Sequence, residues 1–118
     1  MDNVIRQKSF EFALAVIDLY KELQAQHEYV ISRQLLRSGT SIGANVEEAT
    51  AGQSRKDFLS KMAIASKEAR ETKYWLLLLE KSRLANVDVT RHLALVEELI
   101  RILTSIVKTT SQRASTQN

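Results

Sequence analysis

The sequence predicts an all-α protein, an antiparallel up-and-down four-helix bundle, and three observations carry that prediction. The 118 residues include no proline and only three glycines, while good helix formers (Ala, Leu, Glu, Lys, Arg and Gln) make up much of the rest. Apolar residues recur at helical intervals in successive stretches, about 3–24, 32–51, 55–85 and 89–109. The polar interruptions between those stretches are short, and short connections make consecutive helices antiparallel neighbours. With 44% hydrophobic residues, residues 1–110 suit a single domain, and a domain of this size buries roughly two thirds of its unfolded surface. Residues 111–118, rich in Ser, Thr and Gln, read as a disordered polar tail.

The first helix places Phe12, Val16, Leu19, Tyr20 and Leu23 on one face, with Phe10, Leu14 and Ile17 as a second apolar stripe beside it. A polar stretch from Ala25 to Glu28 breaks the pattern. Ser32 is the expected cap of the second helix, which turns Leu35, Ile42, Val46 and Ala49 inward. Within that helix Ser38 to Ala49 is a run of small, uncharged residues closing on Glu47 and Glu48. Gly39 and Gly43 stand four apart, so they share a face with almost no side chain, where a neighbouring backbone can approach closely. Gly52 is the expected end.

Ser54 with Asp57 three residues on resembles a capping box and opens the third helix. Its seam of Phe58, Met62, Ala65, Ala69, Thr72, Leu76 and Leu79 alternates steps of four and three, as antiparallel bundle packing requires. After a turn at Asn86 to Asp88, the fourth helix carries Val89, Leu93, Val96, Ile100, Leu103 and Val107 as one heptad seam. Leu95, Leu99, Ile102 and Ile106 form another, one position behind. A helix in a small bundle hides one stripe roughly 100° wide or slightly more. The doubled stripes of helices one and four, with Ile64, Trp75 and Leu78 off the main seam of helix three, therefore predict a homo-oligomer.

The absence of cysteine removes disulfides and thiolate metal sites, and the first residues lack the apolar run of a secretory leader, so a cytoplasmic location is expected. Trp75 to Leu79 is too short an apolar patch to span a membrane.

Gly39-Thr40-Ser41-Ile42-Gly43 spells Gly-x-Ser-x-Gly, and Asp88 and His92 follow in the chain order of a hydrolase triad. That chemistry needs its serine on a strained strand-to-helix turn, and Ser32 to Arg37 contain no buried strand run, so no catalytic residue is assigned. The same stretch lacks the Gly-Lys-Ser/Thr ending of a phosphate loop. A di-iron bundle needs Glu-x-x-His pairs, yet Gln24 precedes His27 and Val89 precedes His92 at that spacing. Glu47, Glu48, Glu68 and Glu71 are instead expected to pair with Arg33, Arg37 and Arg70, and neither a metal nor a cofactor is assigned.

The net charge of +3 is modest, and its distribution says more. Ser54 to Arg83 hold eight basic residues against four acidic ones, and beyond Glu98 come Arg101, Lys108 and Arg113 with no acid. At 100° per residue, Arg55, Lys56, Lys67, Arg70, Lys73 and Lys81 fall within a sector of about 120° on helix three, with Tyr74 among them. Asp57, Glu68 and Glu71 fall outside it. Such a stripe can follow a phosphate backbone through counterion release, although a solvated face of ordinary surface pairs has the same composition.

Arg37-Ser38, Ser41-Ile42, Asn45-Val46, Glu48, the segment Ser54 to Phe58 and Glu71-Thr72 resemble the four-helix-bundle family of 23S rRNA intervening-sequence proteins over nearly the whole chain. The family pattern often has proline after the isoleucine and glycine after the glutamate, where this chain has Gly43 and Ala49, which implies a divergent branch. The resemblance implies an up-and-down bundle assembled as a homopentamer. It also implies kinship with the accessory variability protein of diversity-generating retroelements, a basic pentamer that binds nucleic acid and a reverse transcriptase. Gly39, Ser41, Gly43, Asn45 and Glu48 then have a structural role, with Asn45 and Glu48 capping or bridging within the bundle to Arg70 or a backbone group. The leading expectation is a non-enzymatic, ring-forming protein that binds RNA or DNA through the helix-three stripe. The alternative is a protein-interaction scaffold with no nucleic-acid role.

Overall fold

In the computed structural model, which describes residues 2–52 and 54–116, every regular element is a helix: α1 (Asp2–Ala25), α2 (Ile31–Thr50), α3 (Arg55–Ser82) and α4 (Thr90–Thr116). Each helix packs on the next, α4 closes against α1, and among the described residues the backbones of diagonally placed helices do not approach one another. Short loops permit only an up-and-down path for such a ring of neighbours. The bundle measures 53 × 23 × 21 Å.

One core runs its length. Phe12, Val16, Leu19 and Leu23 of α1 meet Leu35, Ile42 and Val46 of α2, Met62, Ala65, Ala69 and Leu76 of α3, and Val96, Leu99 and Leu103 of α4. The α4 face differs from the expected pair of independent seams. The buried line takes Val89, Val96 and Leu103 from one and Leu99 and Ile106 from the other, while Leu93, Ile100, Val107, Leu95 and Ile102 lie half-buried on its flanks. Seams one position apart are 100° apart, so a core that faces the gap between them uses the inner edge of both. On α1 two residues of the second stripe remain outside, Phe10 64% and Leu14 49% exposed, while Ile17 is half-buried.

The helix ends follow local chemistry. At the end of α1, His27 adopts a left-handed conformation (φ 64°). Its N–H donates to the Gln24 carbonyl at 3.0 Å, and the Glu28 N–H to the Leu23 carbonyl at 2.9 Å, a Schellman closure. The chain then turns so that Glu28, not Ser32, caps α2. The buried carboxylate accepts the N–H groups of Val30 and Ile31 at 3.0 Å and of Ser32 at 2.7 Å. Ser32 lies inside the first turn, where its hydroxyl donates to the Glu28 carbonyl at 2.8 Å. A carboxylate with two oxygens serves more orphan donors than one hydroxyl, and its charge opposes the positive helix terminus.

Helix α2 stops at Thr50, short of Gly52, and Gly52 has no positive φ. The Ser54 hydroxyl caps α3 by accepting the Asp57 N–H at 3.1 Å. Arg83, left-handed at φ 54°, ends α3 three residues before the expected 85. Asp88 accepts the Thr90 N–H at 3.0 Å, and hydrogen bonds from the Thr90 side chain and backbone hold its carboxyl below the usual value. Helix α4 runs to Thr116, past the expected 109, so 111–116 are helical, while Gln117 and Asn118 lie outside the described residues. Nothing after Ser105 breaks a helix, and Lys108 and Arg113 suit its negative end.

Candidate nucleic-acid interface

The core side of α3 is set by Met62, Ala65, Ala69, Thr72, Leu76 and Leu79, all buried. Every other side chain takes its bearing from that line. Lys56, Lys67, Tyr74 and Lys81 follow one another on the outer face, all exposed, and Arg70 leans towards α4. At 1.5 Å per residue the row from Arg55 to Lys81 spans about 40 Å.

The acids are sorted away from it. Glu68 and Glu71 point to α2, where one guanidinium meets both: Arg37 Nη1 lies 3.2 Å from Glu68, and Arg37 Nη2 donates to Glu71. Glu71 also accepts the Trp75 indole N–H at 3.0 Å. Arg37 is therefore the partner of both carboxylates, and Arg33 and Arg70 are not. Within the basic row, Lys73 meets an acid of another helix, Glu97 at 3.5 Å, and Lys81 touches its neighbour Glu80 at 3.4 Å. Lys56, Lys67 and Arg70 make no ion pair among the described residues. Arg70 donates to the Thr104 hydroxyl at 3.0 Å.

That bond shows what the helix-by-helix reading left out. Lys73, Glu97, Ile100 and Arg101 line a shallow groove between α3 and α4, so Arg101 extends the cationic surface across the joint. Glu97, Arg101, Thr104 and Lys108 are spaced four, three and four apart, a signal of one shared face that the sequence carries but that points nowhere until α4 is docked. At the far end Arg55 and Arg113 line another groove, with Ser54, Phe58 and Thr110.

The small-residue segment faces α1. A Cβ on Gly39 would sit 2.9 Å from both methyls of buried Val16, whereas one on Gly43 would sit 3.4 Å from the Ser9 carbonyl oxygen. Ser41 lies inside α2 rather than on a strand-to-helix turn. Asn45 reaches no other helix: its amide donates to the Ser41 carbonyl at 2.9 Å, with the Ser41 hydroxyl 3.1 Å away. Glu48 is exposed and pairs with Lys61 at 2.9 Å. Neither meets Arg70. Asn45 is satisfied one turn back on its own helix, which relieves it of needing a partner across the bundle, whereas Glu48 bridges α2 to α3.

Glu47, beside Glu48 in the chain, pairs with Arg6 at 3.0 Å, and that hydrogen bond holds its carboxyl below the usual value. Among the described residues no three His, Cys, Asp or Glu side chains come together as a metal site, and no helix is long and apolar enough to cross a membrane. His92 is half-buried against α1, with Nε2 3.2 Å from the Ala15 carbonyl oxygen.

A family model described as 23S rRNA-intervening sequence protein matches residues 1–105. The chain is also similar to the crystal structure of a protein of unknown function from the S23 ribosomal protein family of Bacteroides thetaiotaomicron VPI-5482. The two share 48% identity over 91% of this chain and 97% of that one, with a TM-score of 0.83. No curated protein matches.

Proposed function

This chain belongs to the 23S rRNA-intervening sequence protein family, and from that premise we propose that it is a non-enzymatic, cytoplasmic, ring-forming accessory protein that binds nucleic acid along the outer face of α3. The observation that supports this reading is the separation of charge on α3. Glu68 and Glu71 are engaged by Arg37 on the α2 side, and Lys56, Lys67 and Arg70 face away from them with no ion pair among the described residues. Cations left without protein partners are the ones that release counterions on meeting phosphate.

Anisotropy titrations with RNA and DNA oligonucleotides test it. Binding is expected at low salt and should decline steeply as salt rises. Reversing Lys67, Arg70 and Lys73 to glutamate is expected to weaken it roughly a hundredfold or more and flatten the salt slope. No binding at low salt, or equal binding by the triple variant with its helicity intact, refutes the proposal.

Ring formation would repeat the stripe and add weak contacts into avidity. Phe10 and Leu14 supply the exposed apolar face on which copies would meet. Light scattering is expected to give an oligomer, a pentamer by the family resemblance, that Phe10→Ser with Leu14→Ser reduces to monomer. A monomer at micromolar concentration in the unmodified protein contradicts this part of the reading.

A further inference from the structure

Tyr74 is the one exposed aromatic ring on the α3 face among the described residues, and it is 56% exposed, between Lys67 and Lys81 in the basic row. Lys67 and Lys81 stand seven residues before and after it, so both share its face at about 10 Å along the axis. Arg70, one turn before it, and Lys73 beside it, itself paired with Glu97, add positive charge on the α4 flank, while Glu71 lies on the other. The tyrosine is also held in place: its ring meets Trp75 edge-on, 5.3 Å between centroids at 66°, and Trp75 is itself anchored by its indole hydrogen bond to Glu71.

We propose that this face takes single-stranded nucleic acid, one base stacking on Tyr74 while Lys67, Lys81 and Arg70 hold the phosphates on either side. In a duplex the base faces are hidden in the stack, and only an unpaired strand can offer one to an aromatic side chain. The inference rests on the charge reading of the same stripe and goes beyond it by choosing the strand state and the stacking residue.

Trp75 is the only tryptophan in the chain, so its fluorescence reports directly on a base arriving beside it. The full chain is titrated at low salt with a single-stranded RNA and with the same sequence as a duplex, reading fluorescence and anisotropy together. The expected result is tighter binding of the single strand with a change in Trp75 emission. Tyr74→Leu should weaken single-strand binding roughly tenfold or more and leave duplex binding unchanged, while Tyr74→Phe should keep the preference. Equal binding of both forms, or a Tyr74→Leu protein that binds the single strand as the parent does, overturns stacking and leaves the charge reading standing, provided Lys67→Glu with Arg70→Glu still abolishes binding. Failure of both nucleic acids to bind at low salt overturns both readings.

Discussion

Glu28→Ala is expected to lower folding stability by about 3 kcal/mol, which is large for a side chain outside the hydrophobic core. The carboxylate accepts three backbone N–H groups at the start of α2. Those donors differ in what happens when it is removed. The N–H of Val30, on a residue 73% exposed, can find water, whereas Ser32 is fully buried and its N–H is left without an acceptor. Glu28→Gln keeps one carbonyl oxygen and loses the charge, and about half the effect is expected. Urea denaturation measures both as a shift in midpoint at constant slope, and amide exchange at Ser32 should accelerate more than at Leu35. A Glu28→Ala protein within about 0.5 kcal/mol of the parent would mean that the cap is replaced by another group, against this account.

The second large effect separates two glycines that look equivalent in sequence. Gly39→Ala is expected to destabilise by about 2 kcal/mol, because the new methyl would lie 2.9 Å from Val16, a buried β-branched side chain with little freedom to turn aside in a helix. Gly43→Ala meets only the Ser9 carbonyl oxygen at 3.4 Å, so the gain in helix propensity, up to about 1 kcal/mol, should make it neutral or stabilising. Combining Gly39→Ala with Val16→Ala isolates the cause. The pair should cost less than the sum of its single changes, since each removes the clash or the contact that the other creates. Additive losses, or a stabilised Gly39→Ala protein, would show that α1 and α2 separate easily, and that the close approach at Gly39 does not hold them.

Much of this was readable in advance for a physical reason. Helical periodicity is a property of one strand of sequence, so the inward residues Phe12, Val16, Leu35, Ile42, Met62 and Leu76 announce themselves, and the Ser54 cap is a contact between neighbours in the chain. The Glu28 cap is also local, but it requires His27 to enter the left-handed region first, a conformation that histidine gives little warning of. Asn45 and Glu48 were harder because each has several partners within chemical reason, and only the packing shows that Ser41 and Lys61 stand nearest.

The candidate interface divides in the same way. Residue numbers alone place Arg55, Lys56, Lys67, Arg70, Lys73 and Lys81 within one sector of α3 and Asp57, Glu68 and Glu71 outside it, because angular position on a helix depends on nothing else. The bundle follows likewise from four amphipathic stretches joined by short loops. Helix docking sets the rest: Arg37 engages Glu68 and Glu71, Glu97 engages Lys73, and Arg101 and Thr104 of α4 border the row. It also merges the two apolar seams of α4 into a single core face. Those outcomes depend on the rotation and offset of one helix against another, and docked side chains set these collectively; no count along a single helix contains them.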